Sequence, residues 1–168
     1  TNNKAIVEIN ISDCALEISV LGVESEGKVC GAFDSFPELT KVTIGNSLKK
    51  IGDYAFNFNL KLQSVNLPNS VKRIGNVAFA YNYKLQSVNL PNSLISIDHQ
   101  AFSNVGTSDD IPGVTIVYRI TGDPVIDDRA FYRAKIHKIK VSDGVNSLGD
   151  IDNITRVDNL IIPGQNNL

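Results

Sequence analysis

The sequence predicts a mostly β repeat solenoid, a right-handed superhelix of ~23-residue coils, and three observations predict it. The run from Leu62 to Phe79 is repeated nearly word for word from Leu85 to Phe102, and the frame from Leu39 to Phe56 precedes them. Leu39, Leu62 and Leu85 fall 23 residues apart, as do Ile51, Ile74 and Ile97. An Ala-Phe pair ends each unit at Ala32-Phe33, Ala55-Phe56, Ala78-Phe79 and Ala101-Phe102.

A fixed period of roughly 20–29 residues with a Leu-x-x-Leu-x-Leu frame is the pattern of a leucine-rich repeat. One coil of this kind cannot bury its apolar flank alone, so coils must stack and the ends must be covered. The 168 residues read as one domain, 1–168. A hydrophobic content of 42% and a charged content of 20% describe a chain that folds rather than one that stays disordered. A net charge of −2, with no run of Lys or Arg, gives no general attraction to nucleic acid. No apolar run approaches the roughly 20 residues of a membrane helix, so this segment is not expected to insert in a membrane. No leader is visible, and a chain that starts at Thr1 without Met reads as a processed piece.

Taken in order, residues 1–27 read as an N-terminal β-cap or a degenerate coil. Ile6-x-x-Ile9-x-Ile11 has the spacing of the later repeats, Ser12-Asp13 is turn chemistry, and Ala15 to Leu21 reads as a second strand. Cys14 and Cys30 fit a disulfide stapling this end in an oxidising compartment, and equally two thiols packed as small hydrophobes. Residues 28–168 carry the repeats, about five coils with the last incomplete. Within a coil, Leu62-x-x-Val65-x-Leu67 is a short strand with Val65 and Leu67 inward and Ser64 and Asn66 outward. Pro68-Asn69-Ser70 turns the corner. Val71, Ile74, Ala78 and Phe79 line the rest of the interior, while turns or short 3-10 segments form the convex side. Gly75 is expected to relieve a backbone position. Asn59 and Asn82, three residues after the Ala-Phe pairs, can satisfy backbone groups of the next bend.

After Phe102 the period breaks. Ala130-Phe131 lies 29 residues after Ala101-Phe102. The six extra residues divide as three before the frame Ile111-x-x-Val114-x-Ile116 and three around Thr121 to Pro124. Ile136-His-Lys-Ile139-Lys-Val141 opens another coil, and Val157 to Ile162 is a last strand of the same frame.

The run Leu-x-x-Val-x-Leu-Pro-x-Ser-Val-x-x-Ile-Gly-x-x-Ala-Phe resembles the BspA-like (Treponema pallidum-type) leucine-rich repeats, over about residues 28–163 and most closely over Leu39 to Phe102. That family often has Cys where Asn59 and Asn82 stand; Phe36 holds the equivalent place one period earlier. The resemblance implies a secreted or cell-surface protein with roles in adhesion and protein binding. It brings no catalytic motif and no cofactor.

The residues themselves add no catalytic chemistry. His99 and His137 lie in different coils without a Cys or His at metal-ligand spacing, so neither is expected to be a metal ligand. Asp127-Asp128 and Asp150-x-Asp152 lack the spacing of a calcium loop. The sequence therefore predicts a non-enzyme without cofactor or metal. Two surfaces stand out. One is the strand face, with Lys41, Thr43, Ser64, Asn66, Ser87, Asn89, Thr115, Lys138 and Lys140 as candidate partner-binding residues and Asn159 beyond them. Solenoids bind partners on such extended faces, and here the partner is expected to be an extracellular or host protein. The other is a ridge of Phe58, Tyr81 and Tyr83 beside Leu60, which reads either as an interface or as cover for the bends. A structural spacer self-associating through the C-terminal coil, or a carbohydrate-binding domain, are the alternative readings.

Overall fold

The computed structural model describes residues 8–11, 20–21, 33–120, 122, 124–141 and 157–161. Cys14, Cys30 and the Asp150 to Asn153 stretch lie outside the described residues. Where both strands of a coil are described, the chain visits one long strand and one two-residue strand before returning in the same direction, and every pairing is parallel.

The long strands are β1 (Glu8–Ile11), β3 (Lys41–Ile44), β5 (Ser64–Asn66), β7 (Ser87–Leu90), β9 (Val114–Tyr118), β11 (Ile136–Val141) and β12 (Val157–Ile161). They form one sheet in that order. The short strands β2 (Val20–Leu21), β4 (Lys50–Ile51), β6 (Arg73–Ile74), β8 (Ser96–Ile97) and β10 (Val125–Ile126) form a second. The convex side thus has its expected turns, but the extended pairs between them also form a ladder. No 3-10 turn occurs among the described residues. Among the described residues five successive units carry a strand in both sheets: β1–β2, β3–β4, β5–β6, β7–β8 and β9–β10. β1 and β2 take the corresponding places beside β3 and β4, with Ile9 opposite Val42 and Ile11 opposite Ile44.

The 23-residue period makes equivalent side chains stack. Leu62, Val65, Leu67, Val71, Ile74, Ala78 and Phe79 are all buried, as are their equivalents one period before and after. Phe33, Phe56, Phe79, Phe102 and Phe131 form a continuous ring stack with centroids 5.2–5.3 Å apart. That spacing follows from the inter-strand step of about 4.8 Å plus the lateral offset aromatic rings prefer.

The Ala-Phe bends are hydrogen-bonded from coil to coil as well. The Phe33, Phe56, Phe79 and Phe102 amides donate to the carbonyls of Ala55, Ala78, Ala101 and Ala130 at 2.7–2.9 Å. Two residues further on, Ser35, Phe58, Tyr81 and Asn104 donate to Asn57, Ala80, Ser103 and Tyr132. Those four residues and Arg133 have φ between 54° and 59°, as do Tyr54, Val77 and Gln100 just before the Ala-Phe pairs. This left-handed backbone is uncommon for residues other than glycine. It is held here because each bend must aim its amides at the neighbouring coil, where otherwise buried backbone groups would go unpaired.

Two sequence readings change in detail. Gly75 does not sit at positive φ; it is small because a Cβ would lie 2.3 Å from Asp53 Oδ1 and 2.8 Å from the Asp53 amide. The asparagines act backwards rather than forwards. Asn59 Nδ2 donates to Phe33 O (2.9 Å) while its Oδ1 accepts from Phe36 N (2.8 Å), and Asn82 Nδ2 donates to Phe56 O (3.0 Å).

The extra residues also divide differently. β9 pairs with β7 at a separation of 28, Thr115 opposite Ser87, whereas Ile126 lies opposite Ile97 at 29. Five of the six extra residues therefore precede β9 and one follows it. Ile116 and Tyr118 take the places of Val88 and Leu90, two residues later than the frame Val114-x-Ile116 suggests. The excursion before β9 is closed by Gly106 and Gly113, both at positive φ, where a Cβ would meet Lys135 O at 2.9 Å and 2.5 Å.

Candidate functional site

The outward side chains of the long sheet fall into two rows, set by the alternation of a pleated strand and by the register of β1 to β12. One row runs Glu8, Lys41, Ser64, Ser87, Thr115, Lys138, and the backbone of Asn159 in β12 continues its register. The other runs Thr43, Asn66, Asn89, Val117, Lys140. All nine residues expected on the strand face are brought together in these rows. Asn89 Nδ2 donates to Asn66 Oδ1 at 3.3 Å, so the amides of successive coils support one another. Lys41 is paired with Glu8 at 2.8 Å. Ser64, Ser87, Asn89, Thr43 and Thr115 are half-buried and Asn66 is exposed. The result is a face of short donors and acceptors with little conformational freedom to lose on binding.

Two members of the rows were missed by sequence. Val117, half-buried on the outer surface, occupies the place of Asn66 and Asn89 in β9. The frame misplaced by two residues hid it. A slip of two keeps every side chain on its own face, so Thr115 was rightly placed outward while its true neighbour was not recognised. Glu8 was missed because its pairing with Lys41 spans 33 residues and an irregular first unit.

The second surface lies on the bends. Phe58 and Tyr81 stack with centroids 4.4 Å apart and ring planes 7° from parallel, and Tyr83 meets Tyr81 edge-on at 6.4 Å. Phe58 is 41% and Leu60 40% exposed, so these side chains do more than line the interior. Beside them a charged row runs Glu38, Lys61, Lys84, with Lys61 bonded to Glu38 at 2.7 Å and Lys84 to Asp110 at 2.8 Å. Hydrogen bonds from Lys84 and then Ser108 hold the Asp110 carboxyl below its ordinary pKa.

The coil with the longer period brings His99 to Asp127: His99 Nδ1 lies 3.1 Å from Asp127 Oδ1. With Asp128 the three donor atoms lie within 4.8 Å of one another, a set that a divalent cation can use. Asp127 Oδ1 also accepts the Arg129 amide at 2.9 Å, which makes it a local turn cap. Sequence spacing hid this association because the two residues are 28 apart, across the period break. His137 sits at the β-bulge of β11.

The repeat geometry agrees with the comparison against known proteins. Six copies of the BspA type leucine rich repeat region match residues 29–152. The chain belongs to that family. No curated protein matches this BspA-type chain. Among solved structures, it is similar to a leucine-rich repeat protein from Bacteroides ovatus, at 26% identity and a TM-score of 0.56. The match covers 80% of the BspA-type chain but 33% of the Bacteroides protein, so the chain spans about a third of that protein's length. The family is a repeat scaffold, and a scaffold does not itself specify an activity. No helix among the described residues is long and apolar enough to cross a membrane.

Proposed function

We propose that this chain is a non-enzymatic binding module of a secreted or cell-surface protein, recognising a protein partner through the strand face of the long sheet. The observation that carries the reading is the pair of in-register outward rows, Lys41-Ser64-Ser87-Thr115-Lys138 and Thr43-Asn66-Asn89-Val117-Lys140. Their spacing is fixed by backbone pairing, so the face is organised before any partner arrives. Pre-organisation of this kind lowers the entropic cost of association. BspA-type repeats are often surface-associated, which supports an extracellular partner.

The test is binding of the labelled chain to an array of extracellular-matrix proteins, with an Asn66→Tyr/Asn89→Tyr variant alongside. Both substitutions add bulk to the outer row and leave the inner face alone. A matrix-protein hit weakened at least about tenfold in the variant, roughly 1.4 kcal/mol, supports the face. An undiminished hit places recognition elsewhere.

A further inference from the structure

The strand face carries an asymmetry of charge that its polar middle does not predict. Between Lys41 and Lys138 the rows contain only Ser, Thr, Asn and Val. Lys41 is neutralised by Glu8 at 2.8 Å. Lys138 and Lys140, in contrast, have no ion-pair partner among the described residues. Among the described residues, the uncompensated charge of the face is therefore gathered at its C-terminal end, on one strand.

A backbone irregularity puts it there. Ile136 pairs with Val114, but Lys138 pairs with Thr115, so His137 is an extra residue in β11. Were His137 to pair with Thr115 in unbroken register, Lys138 would stand opposite Ile116 and Lys140 opposite Tyr118, both of which face the core. The bulge instead returns Ile139 and Val141 to the interior and both lysines to the outer surface. Bulges commonly serve to re-aim side chains in this way. Beside Lys140, Val117 interrupts the polar row with a half-buried apolar surface.

Resting on the strand-face reading above, we propose that the partner contributes an acidic protein segment, whose carboxylates meet Lys138 and Lys140 while an apolar side chain covers Val117. Two lysines on alternate residues of one strand face the same way, about 6.6–6.8 Å apart. Carboxylates on alternate residues of an extended segment have the same spacing. The apolar contact favours a peptide over a sulfated sugar chain, which has no comparable side chain to offer, and the described face has no aromatic ring for a sugar to stack on.

The experiment is fluorescence anisotropy with a labelled ten-residue peptide of glutamates around a central leucine. A lysine counterpart and heparin serve as comparators. Binding of the acidic peptide, weakened at least about tenfold by Lys138→Glu/Lys140→Glu and several-fold by raising salt from about 50 to 500 mM, is the expected result. Lys138→Gln/Lys140→Gln should weaken it less, Lys72→Gln, an exposed lysine beside the short sheet, should leave it unchanged, and circular dichroism should report intact folding in each variant. Peptide binding that ignores both lysine pairs overturns the proposal. So does no peptide binding at all, or heparin binding about tenfold tighter than the peptide through the same lysines. The strand-face reading fails separately: it falls if matrix-protein binding survives Asn66→Tyr/Asn89→Tyr, whatever the peptide does.

Discussion

Asn82 Nδ2 donates to two carbonyl oxygens at once, Phe79 O at 2.6 Å in its own coil and Phe56 O at 3.0 Å in the coil before it. Both acceptors and the amide are buried, so water cannot substitute for the bond. Asn82→Ala would leave both carbonyls without this donor and is expected to destabilise the fold by about 1–3 kcal/mol. Asn82→Asp should be worse at neutral pH, since a carboxylate cannot donate and its charge would be buried. Urea unfolding of the three proteins checks the order. Equal midpoints for Asn82→Ala and the parent would show that the bond contributes nothing.

The role of Asn82 was partly legible in the sequence, and the reason it was only partly so applies more widely. Inward and outward positions follow from a period of two along each strand and 23 between coils, and Val65, Leu67, Ile74 and Phe79 obey both. Direction along the solenoid is different: nothing in the period says whether Asn82 reaches the coil before or after it. The frame of β9 failed for a related reason. Val114, Ile116 and Tyr118 are all buried, so either of two frames fits an apolar-polar alternation, and the excursion closed at Gly106 and Gly113 decides between them. The rows of the candidate face were readable wherever the period held, and Val117 was lost where it broke. The pairing of His99 with Asp127 was lost the same way, since it depends on how the extra residues are divided.

Gly75 tests how closely adjacent coils approach. An added Cβ would lie 2.8 Å from the Asp53 amide and 2.9 Å from the Gly52 carbonyl carbon, both backbone atoms, as well as 2.3 Å from Asp53 Oδ1. Gly75→Ala is therefore expected to destabilise by about 1–3 kcal/mol, although alanine ordinarily favours a folded chain over glycine. Removing the carboxylate with Asp53→Ala should restore only part of the loss, because the backbone contacts remain. The double variant would also forfeit the Asp53 bonds to Asn76 N (2.8 Å) and Nδ2 (3.1 Å). Thermal unfolding of the single and double variants measures this. A Gly75→Ala protein as stable as the parent would mean that the coils have room to separate locally.

Val77 offers a change in the opposite direction. It is β-branched and held at φ 56° by the hydrogen bond from its amide to His99 O at 3.0 Å. A β-branched residue is poorly suited to this region, whereas asparagine tolerates it. Val77 is half-buried rather than enclosed, so little packing is lost on replacement. Val77→Asn should stabilise the protein by about 1 kcal/mol, raising Tm by a few degrees. A lower Tm would show that the valine side chain contributes more by packing than its backbone conformation costs.

Asp110 makes the excursion before β9 sensitive to acid. Its carboxylate accepts hydrogen bonds from Lys84 and Ser108, and these hold its pKa below the ordinary value of 3.8. A folded-state pKa lower than the unfolded one adds stability that is fully present above the unfolded value and is lost as pH falls through the folded one. The parent should therefore have the higher Tm in comparison with Asp110→Asn at pH 6. The difference should shrink below about pH 4 and vanish once the carboxylate is protonated in both states. Because Asp110 is exposed, raising the salt concentration at pH 6 should reduce the same difference by screening the Lys84 pair. A gap that stays constant between pH 6 and pH 2 would show that the aspartate acts through its shape rather than its charge, and that the bond from Ser108 suffices to close the excursion.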